Sequence, residues 1–169
     1  METTVKLYSL NYSNVKTYLF ALLFVAGNLI LPQLAHLIPS GGLTLLPIYF
    51  FTLIAAYKYG FTVGLLTAVL SPVANHILFQ MPPAAVLPAI LVKSVLLAAV
   101  AAYAARRTGQ VSLLALLGVV LAYQVAGTAF EWAWEGSWYV AVQDFRIGIP
   151  GMLIQWLGGF ALLKVLARL

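Results

Sequence analysis

The chain has 169 residues, of which 63% are apolar and only 8% charged, whereas a soluble domain carries about a quarter charged residues. So few charges cannot cover a soluble fold of this size, and a mean hydropathy of +1.00 places the chain in a bilayer. The net charge of +5 does not indicate nucleic acid, since the basic residues are scattered rather than clustered on one face, and the lack of cysteine excludes disulfides, Cys-ligated zinc and thiol catalysis.

Residues 1–15 are polar and rich in Ser, Asn and Tyr, and are expected to form an interfacial lead-in to a single six-helix membrane domain covering 1–169. A cleavable signal peptide is not expected, because Glu2 stands where a basic n-region belongs and no Ala-x-Ala site follows the first apolar run. A spanning helix needs about 20 apolar residues. Six apolar runs are candidates: 17–38, 43–57, 61–79, 84–103, 111–134 and 147–166. The second is the shortest and would barely cross. No internal repeat, low-complexity tract or interdomain linker is present.

Orientation follows from the basic residues. If six segments alternate, Lys6, Lys16, Lys58, Arg106, Arg107, Lys164 and Arg168 all fall on one side, which is then cytoplasmic and holds both termini. The opposite side holds Arg146 with Glu131, Glu135 and Asp144, while Lys93 sits inside the fourth segment.

Polar groups in lipid must find partners within the protein, and here they gather in the outer half. Asn28, Gln33 and His36 close the first segment, and Asn75 and His76 close the third. Glu131, Trp132, Trp134, Glu135, Trp138 and Tyr139 end the fifth, and Gln143, Asp144, Arg146 and Gln155 open the sixth. The tryptophans fit either an interfacial aromatic belt or the wall of a pocket. Glu131 and Glu135 share a helix face. His36 and His76 read as polar caps, and no HExxH or other spaced ligand set calls for a metal or other cofactor. Lys93 must snorkel, pair with a carboxylate such as Glu131, or face a wet cavity. The cavity is the expectation. The substrate-binding set expected from the sequence is Lys93, Glu131, Glu135, Trp134, Trp138, Asn75, His76, Arg146 and His36. Small residues recur at packing intervals in Gly60/Gly64/Ala68, Ala98/Ala102, Ala101/Ala105 and Gly118/Ala122/Ala126. They serve internal packing or a membrane partner.

The ordered series Leu46-Pro47-Ile48, Tyr59-Gly60-Phe61-Thr62-Val63-Gly64-Leu65-Leu66, Leu70-Ser71-Pro72, Gln80-Met81-Pro82-Pro83 and Leu87-Pro88 resembles the substrate-binding (S) components of energy-coupling factor (ECF) vitamin transporters. The resemblance implies a six-helix capture subunit in a bacterial or archaeal cell membrane. It would take a vitamin or related micronutrient from outside and topple inward while docked on a transmembrane coupling protein driven by two ATP-binding subunits. The family's pocket lies at the outer ends of the later helices, under the loops joining helices one and two, three and four, and five and six. Two positions depart from the family. Its Ala-x-x-x-Ala docking pair on helix one is replaced by Ala21 and Val25, and Lys93 stands where many members carry glutamate, which implies a different substrate.

The chain contains no GxxxxGK[ST] loop and no GxSxG elbow, so ATP-driven transport needs partners and no enzymatic role is expected. A six-helix cell-shape (rod-complex) scaffold is the competing reading, with Lys93 and Glu131 as a buried structural pair. A membrane hydrolase using Glu131 and Glu135 as acid and base is a third.

Overall fold

Asn14, in extended backbone, accepts a hydrogen bond from Lys16 N at 2.9 Å and so caps helix α1 (Val15–Ala35). The computed structural model describes residues 3–4 and 7–167. Glu2, Lys6 and Arg168 lie outside the described residues. After α1 come α2 (Gly41–Leu45), a 3₁₀ turn (Pro47–Tyr49), α3 (Phe50–Tyr59), α4 (Phe61–Phe79), α5 (Leu87–Thr108) and α6 (Leu113–Glu135). Short helices α7 (Trp138–Ala141) and α8 (Gln143–Ile147) then lead to α9 (Ile149–Leu153), a π turn (Ile154–Gly158) and α10 (Gly159–Leu166). The one sheet among the described residues is a two-residue antiparallel ladder, β1 (Thr3–Thr4) against β2 (Gln110–Val111).

Among the described residues the chain is therefore helical in its bulk, and five of its helices are long and apolar enough to cross a membrane: Val15–Ala35, Phe61–Phe79, Leu87–Thr108, Leu113–Glu135 and Ile149–Leu166. The second apolar run, 43–57, is not one helix. Leu46 adopts left-handed backbone (φ 46°) and separates α2 from the turn that feeds α3. Helix α3 has ten residues, about 15 Å at 1.5 Å per residue, too short to span alone. Its burial explains the length. Thr52 to Tyr59 are all buried, with Leu53, Ile54, Ala55 and Ala56 at 0% exposure, so α3 is sheathed by α1, α4, α5 and α10 rather than by lipid. The core is built around it, from Leu53, Ile54, Val63, Leu97, Leu116 and Leu163.

Close helix contact uses some of the small residues and not others. A Cβ at Gly64 would strike the Ala56 Cβ, so α3 and α4 touch through glycine, and Ala98, Ala101, Ala102 and Ala105 are buried in the seam of α5. A Cβ at Gly118 would meet nothing within 4 Å, and Ala122 and Ala126 are exposed with it. That stripe faces outward. At the α3–α4 turn, Gly60 takes φ 95°, a conformation costly for any residue with a Cβ, and residues 8–10 run across this turn, with Tyr8 N donating to Lys58 O and Leu10 N to Tyr59 O.

Charge is divided between the two ends of the bundle. Lys16, Lys58 and Leu166, close to Lys164, wall one groove. Tyr57 Oη donates to Gln110 O at 2.8 Å, which fixes the Arg106-Arg107 turn at the same end. Glu131, Glu135, Asp144 and Arg146 lie at the opposite end, with the connections 36–46, 80–86 and 136–148.

Candidate functional site

Lys93 occupies the second turn of α5 and is 3% exposed. It does not snorkel. Its Nζ donates to Glu131 Oε2 at 2.5 Å and to Asp144 Oδ2 at 2.9 Å, tying α5 to the end of α6 and to α8. Such charge-assisted bonds are the strong ones, and they answer the cost of placing a lysine at this depth. Gly127 makes the room, because a Cβ there would collide with Lys93 Cγ. One ammonium between two carboxylates leaves the cluster with one formal negative charge in excess. Arg146 does not supply the balance: its guanidinium stacks 3.7 Å over the Tyr139 ring and donates to Tyr139 O and Oη.

Beside this cluster the bundle interior stays polar. Tyr123 Oη donates to Gln155 Oε1 at 2.6 Å and accepts from Gln124 Nε2 at 3.0 Å. Gln155 comes from the π turn, a local irregularity that swings one side chain inward, and its Nε2 reaches Leu46 O at 3.5 Å. Ser94 Oγ, Gln124 Oε1 and Thr128 Oγ1 are buried along α5 and α6 without a hydrogen-bond partner among the described residues.

A cavity of about 350 Å³ opens at the same end, between the connection after α1 and the connection before α5. Its walls are mostly apolar, with Pro32, Pro47, Ile48, Met81, Pro82 and Val86 contributing, and His36, Ser40 and Asn75 add polar atoms. No Asp, Glu, Lys or Arg is among its wall residues. His36, Ser40, Leu43, Met81 and Pro83 are exposed and form the rim. Asn75 is 1% exposed, and its Nδ2 donates to Asn28 O at 2.8 Å and Ser71 O at 2.9 Å. Asn28 in turn joins α1 to α3 and α4, donating to Thr52 Oγ1 and Ser71 Oγ while accepting from Phe51 N. His76 Nδ1 lies 2.8 Å from Pro82 O. A carbonyl only accepts, so this nitrogen carries the proton, and the bond pins the wall loop to α4.

The nine residues expected from the sequence thus fall into three places. His36 and Asn75 line the cavity and His76 holds its wall. Lys93 and Glu131 form the buried ion cluster and are not wall residues of the cavity. Glu135, Trp134, Trp138 and Arg146 stand on the exposed rim around α7. Trp134 and Trp138 are 59% and 58% exposed; Trp138 meets Trp132 edge-on at 5.3 Å, and Trp134 stacks on Phe130 at 6.0 Å. This is the disposition of an interfacial belt.

Asp144, Gln124 and Gln155 are outside that expected set. Asp144 is 51 positions from Lys93, beyond any helical periodicity, although a deeply buried lysine does signal that carboxylates are near. Gln124 and Gln155 carry the plain signal of amides inside apolar helices. Among the described residues no group of three or more His, Cys, Asp or Glu side chains is placed to hold a metal. No family model matches the chain, and no curated protein or solved structure matches it.

Proposed function

We propose that this chain is the substrate-capturing subunit of an ECF-type importer for a vitamin or related micronutrient, with six crossings and both termini in the cytoplasm. The observation that carries this reading is the cavity of about 350 Å³ at the end of the bundle opposite Lys16, Lys58, Arg106, Arg107 and Lys164. Its size falls in the range of small-molecule sites, and its mix of apolar wall and few polar atoms is typical of them. The short α3 supports the six-crossing arrangement, since a helix wrapped by others need not match the bilayer thickness. The chain itself has no phosphate-binding loop. Energy for release to the cytoplasm would come from a transmembrane coupling protein and two ATP-binding subunits in the cell membrane.

The test is reconstitution. The chain alone in liposomes binds its micronutrient but shows no ATPase activity and no accumulation. Adding a coupling protein and its ATPases yields ATP-dependent uptake. Accumulation by the chain alone, or failure to associate with any such module, overturns the proposal.

One observation favours the scaffold reading. Lys93 is held by both Glu131 and Asp144 within the protein, as a structural strut would be, and needs no ligand to pair its charge. A scaffold would co-purify with a wall-synthesis complex and release no small molecule on denaturation.

A further inference from the structure

The end of the bundle away from the cavity carries a second concavity, a groove of about 870 Å³. Three helices finish there: Lys16 in the first turn of α1, Lys58 in the last turn of α3 and Leu166 at the end of α10 all wall it. Lys16 is exposed, and its ammonium enters no hydrogen bond or ion pair among the described residues. Lys58 is 3% exposed, with Nζ 5.4 Å from the centre of the Tyr8 ring. No Asp or Glu is among the described wall residues, and all three described acids stand at the other end. The start of α1 adds the positive end of a 21-residue helix dipole. The groove therefore favours an anion.

Its shape says which kind. Lys16, Leu19, Phe20 and Leu23 all belong to the wall and follow at i, i+3, i+4 and i+7, one face of α1. From Lys16 to Leu23 that face runs about 10 Å along a helix apolar enough to cross a membrane. Leu19 and Leu23 are each 62% exposed, so this part of the groove opens sideways rather than into the bundle. A small soluble anion would use the lysines and leave these leucines bare. An amphiphile with an anionic head and an acyl chain matches both parts.

We propose that this groove holds one anionic phospholipid, its phosphate at Lys16 and Lys58 and the upper part of one acyl chain along Leu19 and Leu23. The inference does not rest on the capture reading. A single lysine at such a surface favours an anionic lipid by about fivefold.

The test counts lipids retained by the full chain. Protein stripped in detergent is offered phosphatidylglycerol and phosphatidylcholine of the same acyl chains in equal amounts, and bound lipid is read by native mass spectrometry. One phosphatidylglycerol per chain is retained, at least tenfold in preference to phosphatidylcholine. Lys16→Gln, at an exposed position, lowers that preference about fivefold. Arg106→Gln, which removes an exposed charge at the same end but outside the groove wall, leaves it unchanged. Equal retention of the two lipids overturns the proposal. Equal losses in the two variants assign the preference to the charge of the whole end and overturn the groove as its site. Glycerophosphoglycerol, the same headgroup without chains, and inorganic phosphate do not displace the lipid at millimolar concentration. Displacement by either would make this a site for a soluble anion and overturn the role of Leu19 and Leu23.

Discussion

At the scale of single residues, the ion cluster decides more than any other feature. Lys93 gains two bonds to carboxylates, and both carboxylates lose much of their repulsion through it. Removing one member of a buried pair leaves an uncompensated charge, which costs about 3–5 kcal/mol. Lys93→Met keeps the stem that packs on Gly127 and leaves Glu131 and Asp144 facing each other alone. The variant is expected to unfold at a markedly lower temperature in detergent, and adding Glu131→Gln and Asp144→Asn should restore most of the loss. A Lys93→Met protein as stable as wild type would remove the strut. Part of this is legible in the sequence: the cost of a mid-helix lysine is met by a carboxylate, and Glu131 is a candidate. The pairing with Asp144 is not legible there, because Asp144 reaches Lys93 through two short helices that no apolar pattern announces. Asn75 is legible as a polar residue near a helix end, whereas its bond to Asn28, 47 positions away, is fixed only by three-dimensional contacts.

At the scale of elements, the agreement is best where a turn residue bounds an apolar run. The third run, 61–79, coincides with α4 because Gly60 opens it and Gln80, in left-handed backbone, closes it. The second run fails for a physical reason. Membrane helices are apolar around most of their circumference, so no period marks where one stops, and the break at Leu46 carries no Gly or Asn to signal it. Spacing of small residues misleads in the same way, since Gly64 and Gly118 look alike in sequence. In the structure they differ, and this gives a paired expectation. Gly64→Val drives a Cβ into Ala56, and overpacking of this kind costs about 1–3 kcal/mol, read as a lower unfolding temperature. Gly118→Val meets open space and should leave that temperature unchanged or slightly raised, valine being the better helix former. Equal losses at both sites would mean that α3 and α4 do not meet as described.

At the scale of the whole molecule, the charge asymmetry and the buried third helix bear on the same question. Of the seven described basic residues, Lys16, Lys58, Arg106, Arg107 and Lys164 share one end, while Lys93 and Arg146 lie toward the other with all three described acids, Glu131, Glu135 and Asp144. Basic residues near helix ends are retained on the cytoplasmic side during insertion, whereas acids contribute little to orientation. If α3 crosses inside its sheath of α1, α4, α5 and α10, the five at the shared end face the cytoplasm. If α3 merely dips and returns, the helices after it reverse, and the Arg106-Arg107 turn would have to leave the cytoplasm against that bias. The cysteine-free chain makes the distinction measurable with single introduced thiols. Thr108→Cys sits just after the Arg106-Arg107 turn, and Gln143→Cys sits at the start of α8. A membrane-impermeant maleimide should label Gln143→Cys in right-side-out vesicles and Thr108→Cys only in inverted ones. Labelling of both from the same side would reject the six-crossing arrangement. The reverse pattern, which either an α3 that returns without crossing or an inverted bundle produces, would overturn the proposed orientation; an inverted bundle would place the cavity of His36 and Asn75 in the cytoplasm, where it could not capture anything from outside.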